Sequence, residues 1–325
     1  MPPAKHRRSR HAAPAGPGPA QPAAVPAVEG LVRFLSPEER HKLSRLTLLS
    51  RYVVEGNLAG AHRSPLRGPS SEFADHKAYA LGDDPKHIDW RVLARTDRYF
   101  IKRYDDETNL RVYLALDRSA SMNYGSGRLT KFEYACRLAA AIGYVVVKGR
   151  DSVGLFLHND RVTVRLDARN SLRHLNDLCK QIQANPPAGG TAIGKTLHEV
   201  AASVRRRALV VVLSDLLGDE KEIQGALARL RKQHHDVMVL QVLDPVEVDL
   251  SFRHNCEFID LETGEKLSID PAGVAPSYRQ ILSAFLDQYQ KTCAALRIDY
   301  RLVRSDQPVD GFIQAYLQER RRLSK

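Results

Sequence analysis

The chain has 325 residues, 43% hydrophobic and 27% charged, which is enough to bury a sizeable core in one large α/β domain with a smaller companion. Its net charge is +11, but Lys5, Arg7, Arg8 and Arg10 near one end and Arg320, Arg321, Arg322 and Lys325 near the other carry eight of those charges. The middle is therefore close to neutral, and no basic face for specific nucleic-acid recognition is expected.

No run approaches the roughly 18 consecutive apolar residues of a membrane span, and the basic beginning lacks the apolar core of a signal peptide. The four cysteines, Cys136, Cys179, Cys256 and Cys293, form no CxxC pair. That spacing argues against zinc and for reduced thiols, and a cytoplasmic protein is expected.

Residues 1–30 are dominated by Pro, Ala and Gly and cannot repay the entropy of ordering, so a disordered basic tail is predicted. Residues 31–110 read as an N-terminal helix followed by a small mixed subdomain. In "SPEERHKLSRLTLLSRYVVEG", Ser36 caps, Pro37 suits the first helical position, Glu39 closes a capping box, and Gly56 ends the helix. Short strands are predicted around "SEFADHKAYA" and "RYFIKRYDDE". In "GDDPKHIDW", Asp83-Asp84-Pro85 makes a turn or helix start, and Trp90, the only Trp, reads as a core anchor.

From 111 to 321 the text alternates regularly. "LRVYLALD", "SVGLFLH", "RALVVVLSD", "DVMVLQVLD" and "RIDYRLVRS" are strand-like, with helices expected near 131–149, 171–184, 192–206, 219–233, 277–296 and 309–321. Such alternation specifies a Rossmann-like, mostly parallel six-stranded sheet covered by helices on both faces. "RVTVRLD" follows "SVGLFLH" after only Asn159 and Asp160, too short for a crossover, so it is predicted to be an antiparallel edge strand. Residues 244–273 form an insertion containing a hairpin that turns at Thr263-Gly264.

Three polar clusters fall where strands end. Asp117, Ser119 and Ser121 follow the first strand in "LALDRSASMNYG", Thr191 lies in "PPAGGTAIGKT", and Asp215 ends "LVVVLSD". In an open parallel sheet, loops at the carboxyl ends of strands converge into the ligand site. Two carboxylates and three hydroxyls are hard oxygen donors that suit Mg2+ or Mn2+. With only two formal negative charges, a cation held there still attracts an outside carboxylate, so the arrangement favours docking an acidic residue of a partner.

These five residues resemble the metal ion-dependent adhesion site of the von Willebrand factor A fold. By that resemblance Ser119 and Ser121 bind the ion directly. Thr191 binds directly or swings away between states, and Asp117 and Asp215 act directly or through water. Residues 72–104, "EFADHKAYALGDDPKHIDWRVLARTDRYFIKRY", are similar to the signature of the bacterial family called domain of unknown function fifty-eight, whose members carry it just before a von Willebrand A-like domain. Lys77-Ala78-Tyr79 stands where that signature has Arg at the first position. The likeness spans about residues 55–320 and implies an adaptor that works with a MoxR-type AAA+ ATPase, on a client presenting an acidic residue.

One competing motif needs an answer. "GGTAIGKT", Gly189 to Thr196, satisfies the phosphate-cradling pattern GxxxxGK[ST], which makes a nucleotide hydrolase the alternative. That motif needs a strand running into its first glycine, whereas "CKQIQANPPAGG" reads as a helix broken by two prolines. Such a loop would also leave Asp117, Ser119 and Ser121 idle. The reading is therefore a metal-dependent binding protein without catalytic residues, with a purely structural scaffold as the other alternative.

Overall fold

The computed structural model describes residues 30–44, 46, 73–80, 88–104, 110–252, 256–259, 261 and 265–323. The predicted tail, the end of the first helix at Gly56, the Asp83-Asp84-Pro85 turn and the Thr263-Gly264 turn lie outside them. Two short helices, α1 (Leu31–Phe34) and α2 (Pro37–Ser44), come first. Ser36 and Glu39 exchange the two bonds of a capping box at the start of α2, as its sequence dictates. Strand β1 (Phe73–Ala78) pairs antiparallel with β2 (Phe100–Tyr104), and helix α3 (Trp90–Thr96) lies between them in the chain.

Trp90 is 63% exposed, which corrects its expected role as a core anchor. The residue taken inside is its neighbour Asp89, 7% exposed, whose carboxylate accepts the amides of Arg91 and Val92 and so caps α3. Satisfying the orphan amides of this short helix fixes the cap and turns the indole, one position further on, to solvent.

The large sheet follows. Strands β3 (Arg111–Asp117), β4 (Ser152–His158), β6 (Leu209–Ser214), β7 (Asp236–Leu243) and β10 (Asp299–Arg304) are parallel, while β5 (Val162–Arg169) runs antiparallel beside β4. The spatial order is β10-β7-β6-β3-β4-β5. Counted within the sheet this is 3-2-1-4-5-6, the doubly wound order whose direction of winding reverses between β3 and β6.

Each central strand buries both faces. Val112, Leu114 and Leu116 of β3, with Val211 and Leu213 of β6, join one apolar cluster. Ala115 of β3, with Val210 and Val212 of β6, joins the other. Period-two alternation between two dry faces is why these segments read as continuous apolar runs. The first face is covered by α4 (Lys131–Lys148), α5 (Leu172–Ala184) and α10 (Val309–Leu323), and Leu31, Phe34, Leu35 and Leu43 of the N-terminal helices and the turn between them lie in the same cluster. The second face is covered by α6 (Ile193–Ser203), α7 (Glu220–Lys232) and α9 (Pro271–Ala295).

Between β7 and α9 come α8 (Pro245–Asp249) and the hairpin strands β8 (Cys256–Ile259) and β9 (Lys266–Ile269), within the expected insertion. Helix α9 begins six residues before its expected start. Pro271 supplies a favourable first position, and the helix runs on through Pro276, the residue just before the expected start at 277. Strand β5 alternates half-buried and exposed residues along its length and carries Arg165 and Arg169, as suits a sheet edge. Among the described residues no helix is long and apolar enough to cross a membrane.

Candidate metal site at the sheet crossover

Between β3 and β6, where the winding reverses, the carboxyl ends of both strands carry acids. Asp117, 1% exposed, ends β3, and Asp215, fully buried, follows β6. Asp117 Oδ1 accepts the Ser119 amide at 2.9 Å, closing a turn over the end of the strand. Its Oδ2 accepts the Ser214 hydroxyl at 2.6 Å. Ser119 Oγ and Ser121 Oγ lie 3.1 Å apart, the latter in a 3-10 turn spanning Ala120–Asn123. Spacing of two thus brings both hydroxyls together beside the carboxylate.

The Thr191 loop is stitched to this turn from both sides. Arg118 donates through Nε and Nη2 to the Pro186 carbonyl at 3.1 and 2.8 Å, its own carbonyl accepts the Ala188 amide at 2.9 Å, and the Ala120 amide donates to the Gly189 carbonyl at 3.0 Å. Asn159, just past β4, donates from Nδ2 to the Ala188 carbonyl at 2.7 Å and accepts the Ala192 amide at 3.1 Å. Gly189 sits at φ +78°, and a Cβ there would lie 2.9 Å from Asn159 Nδ2, so glycine is required on both counts. The third segment also reaches Thr191, because a Cβ on Gly218 would fall 3.5 Å from Thr191 Cγ2. The three sequence clusters therefore meet at one place.

Asp215 has its own partners. Oδ1 accepts the Leu217 amide at 3.2 Å, Oδ2 accepts Lys131 Nζ at 2.9 Å, and its carbonyl accepts Gln241 Nε2 at 2.9 Å. Lys131 is fully buried and also donates to Glu247 Oε1 at 2.7 Å. Glu247 uses its other oxygen to accept the Asp244 amide at 2.8 Å, in the capping box that starts α8. Fully buried Asp244 in turn accepts the Ser126 amide at 2.9 Å and hydroxyls from Ser126 and Ser305. A continuous polar chain thus runs from Asp117 through Ser214 and Asp215 to Lys131, Glu247 and Asp244.

Burial, with the nearby charge of Asp215, pushes the Asp117 carboxyl up to about 7, against the lowering effect of its bonds from Ser214 and Ser119. Burial opposes the charge on Lys131, but the carboxylates of Asp215 and Glu247 outweigh it and hold the ammonium above its ordinary range. His158, beside Asp117 across the β3–β4 pairing, is fully buried, with Nδ1 3.1 Å from Thr196 Oγ1, and burial pushes it down to about 4.

Two buried acids that repel one another, next to two hydroxyls and a threonine loop, form a donor set that fits a hard divalent cation. Among the described residues no group of three or more His, Cys, Asp or Glu side chains is placed to hold a metal, so a cation here would depend on the hydroxyl oxygens. The segment leading into Gly189 is helix α5 and a loop rather than a strand. Gly194 of the same motif serves packing, since a Cβ there would lie 2.8 Å from the Glu222 backbone of α7, and Lys195 is exposed.

Sequence reasoning missed Lys131, Ser214, Asn159, Asp244 and Glu247. Lys131 left a signal, since it heads the buried stripe of α4 that continues through Tyr134, Ala135, Leu138 and Ala141. A lysine on that stripe calls for buried carboxylates. Asp244 and Glu247 left none beyond a capping box, because their link to the site depends on how the insertion folds back.

Fold and site together define a doubly wound α/β protein with an oxygen-rich site at its crossover. The chain belongs to the family described as "Protein of unknown function DUF58", whose profile matches residues 75–285. It is 30% identical over 235 residues to the uncharacterized protein Rv1480 of Mycobacterium tuberculosis, covering 71% of this chain and 74% of that one, and equally to the uncharacterized protein Mb1516 of Mycobacterium bovis. Among solved structures it is similar to BatB from Bacteroides thetaiotaomicron, with 17% identity, 66% of this chain and 99% of that one covered, and a TM-score of 0.44. A more remote likeness is to the SpRpn10 VWA domain, at 13% identity and a TM-score of 0.39, covering 64% and 95% of the two chains.

Proposed function

We propose that the chain is a protein-binding module whose crossover site takes Mg2+ or Mn2+ through Asp117, Ser119, Ser121, Thr191 and Asp215. The observation that carries this reading is the juxtaposition of buried Asp117 with the Ser119 and Ser121 hydroxyls, bonded across to the Thr191 loop and, through Ser214, to the Asp215 strand. Two carboxylates and three hydroxyls gathered from three loops are suited to holding a hard cation, and binding is the work that this reading assigns to them. A divalent cation held by two carboxylates and neutral hydroxyls is formally balanced and not over-neutralised, so it still accepts an acidic side chain from another protein at an open position.

The adaptor role extends this reading by resemblance. A MoxR-type AAA+ ATPase, or a client that it remodels, presents the acid, and the chain links one to the other. The test is co-purification of the full-length chain with its MoxR-type ATPase in Mg2+ and in chelator, for wild type and Asp117→Ala. Capture that needs both Mg2+ and Asp117 is the expected result. Equal capture by both proteins in both buffers overturns the metal-dependent reading, and no capture under any condition overturns the ATPase as partner.

A further inference from the structure

We infer that Lys131 is a positioning residue that competes with the divalent cation for Asp215, so that its ammonium sets how tightly the site binds metal. This inference rests on the metal reading above and concerns the regulation of that same site. Three observations carry it. First, the ammonium is fully buried and makes two short ion pairs, to Asp215 at 2.9 Å and to Glu247 at 2.7 Å. Second, the other Asp215 oxygen is taken by the Leu217 amide, so a cation that draws on this carboxylate must share it with Lys131. Third, Lys131 opens helix α4, where the partial positive charge of the free amides disfavours a cation. Helix stability does not account for a lysine there, whereas the facing carboxylates do.

The same ammonium ties the site to the insertion. Glu247 closes the capping box of α8, and Asp244 in that box holds Ser126, five residues past Ser121, and Ser305 at the end of β10. When a divalent cation takes up Asp215, the ammonium loses part of its hold there and leans on Glu247. Metal occupancy is thereby felt at α8. Charge in this dry enclosure is poorly screened, so adding or removing one unit of it changes cation affinity by an order of magnitude.

Direct titration of Mn2+ into the full-length chain, with free Mn2+ read by electron paramagnetic resonance, tests this. Lys131→Met keeps the apolar stem and removes the charge, and it is expected to tighten Mn2+ binding at least about tenfold. Glu247→Gln leaves the lysine with one carboxylate fewer. It is expected to weaken binding several-fold, although Glu247 is not among the proposed ligands. Affinities in both variants within twofold of wild type, with Asp117→Ala binding nothing, overturn the role of Lys131 and leave the metal site standing. A folded wild type that takes up no Mn2+ at millimolar concentration overturns the metal reading itself. If Lys131→Met does not fold, Glu247→Gln decides alone, and unchanged affinity there counts against the inference.

Discussion

The middle of the large sheet and its carboxyl edge are built from the same strands on opposite terms. Through the middle, β3 and β6 place Val, Leu and Ala on both faces, with Tyr113 packed at the rim of one of them, and the buried side chains meet apolar partners. One residue further along, the same strands bury Asp117, Ser214 and Asp215, which are held by one another, by backbone amides and by Lys131. The middle stabilises the fold at no cost to itself. The edge carries repulsion between two buried acids, the kind of unrelieved charge that marks a candidate site.

Substitutions can break or sharpen that contrast. The largest expected effect is in the middle: Leu114→Ala, at a fully buried position, is expected to lower stability by about 3 to 5 kcal/mol in urea unfolding, through lost burial and the cavity left behind.

Next comes His158, on the boundary between the two regions. Its folded form stays neutral down to about pH 4, whereas the unfolded side chain takes a proton near 6.5. The stability it contributes is therefore complete above pH 6.5 and is lost as pH falls toward 4, by about 3 kcal/mol. Measured against His158→Gln, wild type should lose that advantage across this window; a constant difference would show that the imidazole titrates normally.

At the edge the sign reverses. Asp117→Asn removes a buried charge that Asp215 repels, so the metal-free variant is expected to be more stable than wild type at pH 8 by about 1 to 2 kcal/mol, while binding no Mn2+. A loss of stability comparable to that of Leu114→Ala would place Asp117 among the structural residues of the middle. The smallest effect belongs to Lys195→Ala. The side chain is exposed, and the change is expected to stay within about 0.5 kcal/mol with no effect on Mn2+ affinity.

How much of this was legible in the sequence differs between the same two regions. The middle was plain, because apolar strands alternating with amphipathic helices state their own period, and the short link after β4, three residues in the structure, identified β5 as the antiparallel edge. At the edge, strand ends were legible from Asp117 and Asp215, and the spacing of Ser119 and Ser121 was enough to group them. Lys131, Asn159 and Glu247 were not found, since each reaches the site across 29 or more residues of chain, through contacts that only the fold creates. Trp90 misled because size and rarity suggested burial, while a local capping requirement at Asp89 decided its orientation. The start of α9 was placed six residues late, and Pro276 lies inside the helix.

The outer strand β5 has a bearing on behaviour at high concentration. Its exposed row of backbone groups is a template on which another copy could lengthen the sheet, yet its outward positions carry Arg165, Asp167 and Arg169. Another copy that registers there must strip water from an ion pair and a second arginine, so crowding in a cell should not drive copies into ribbons.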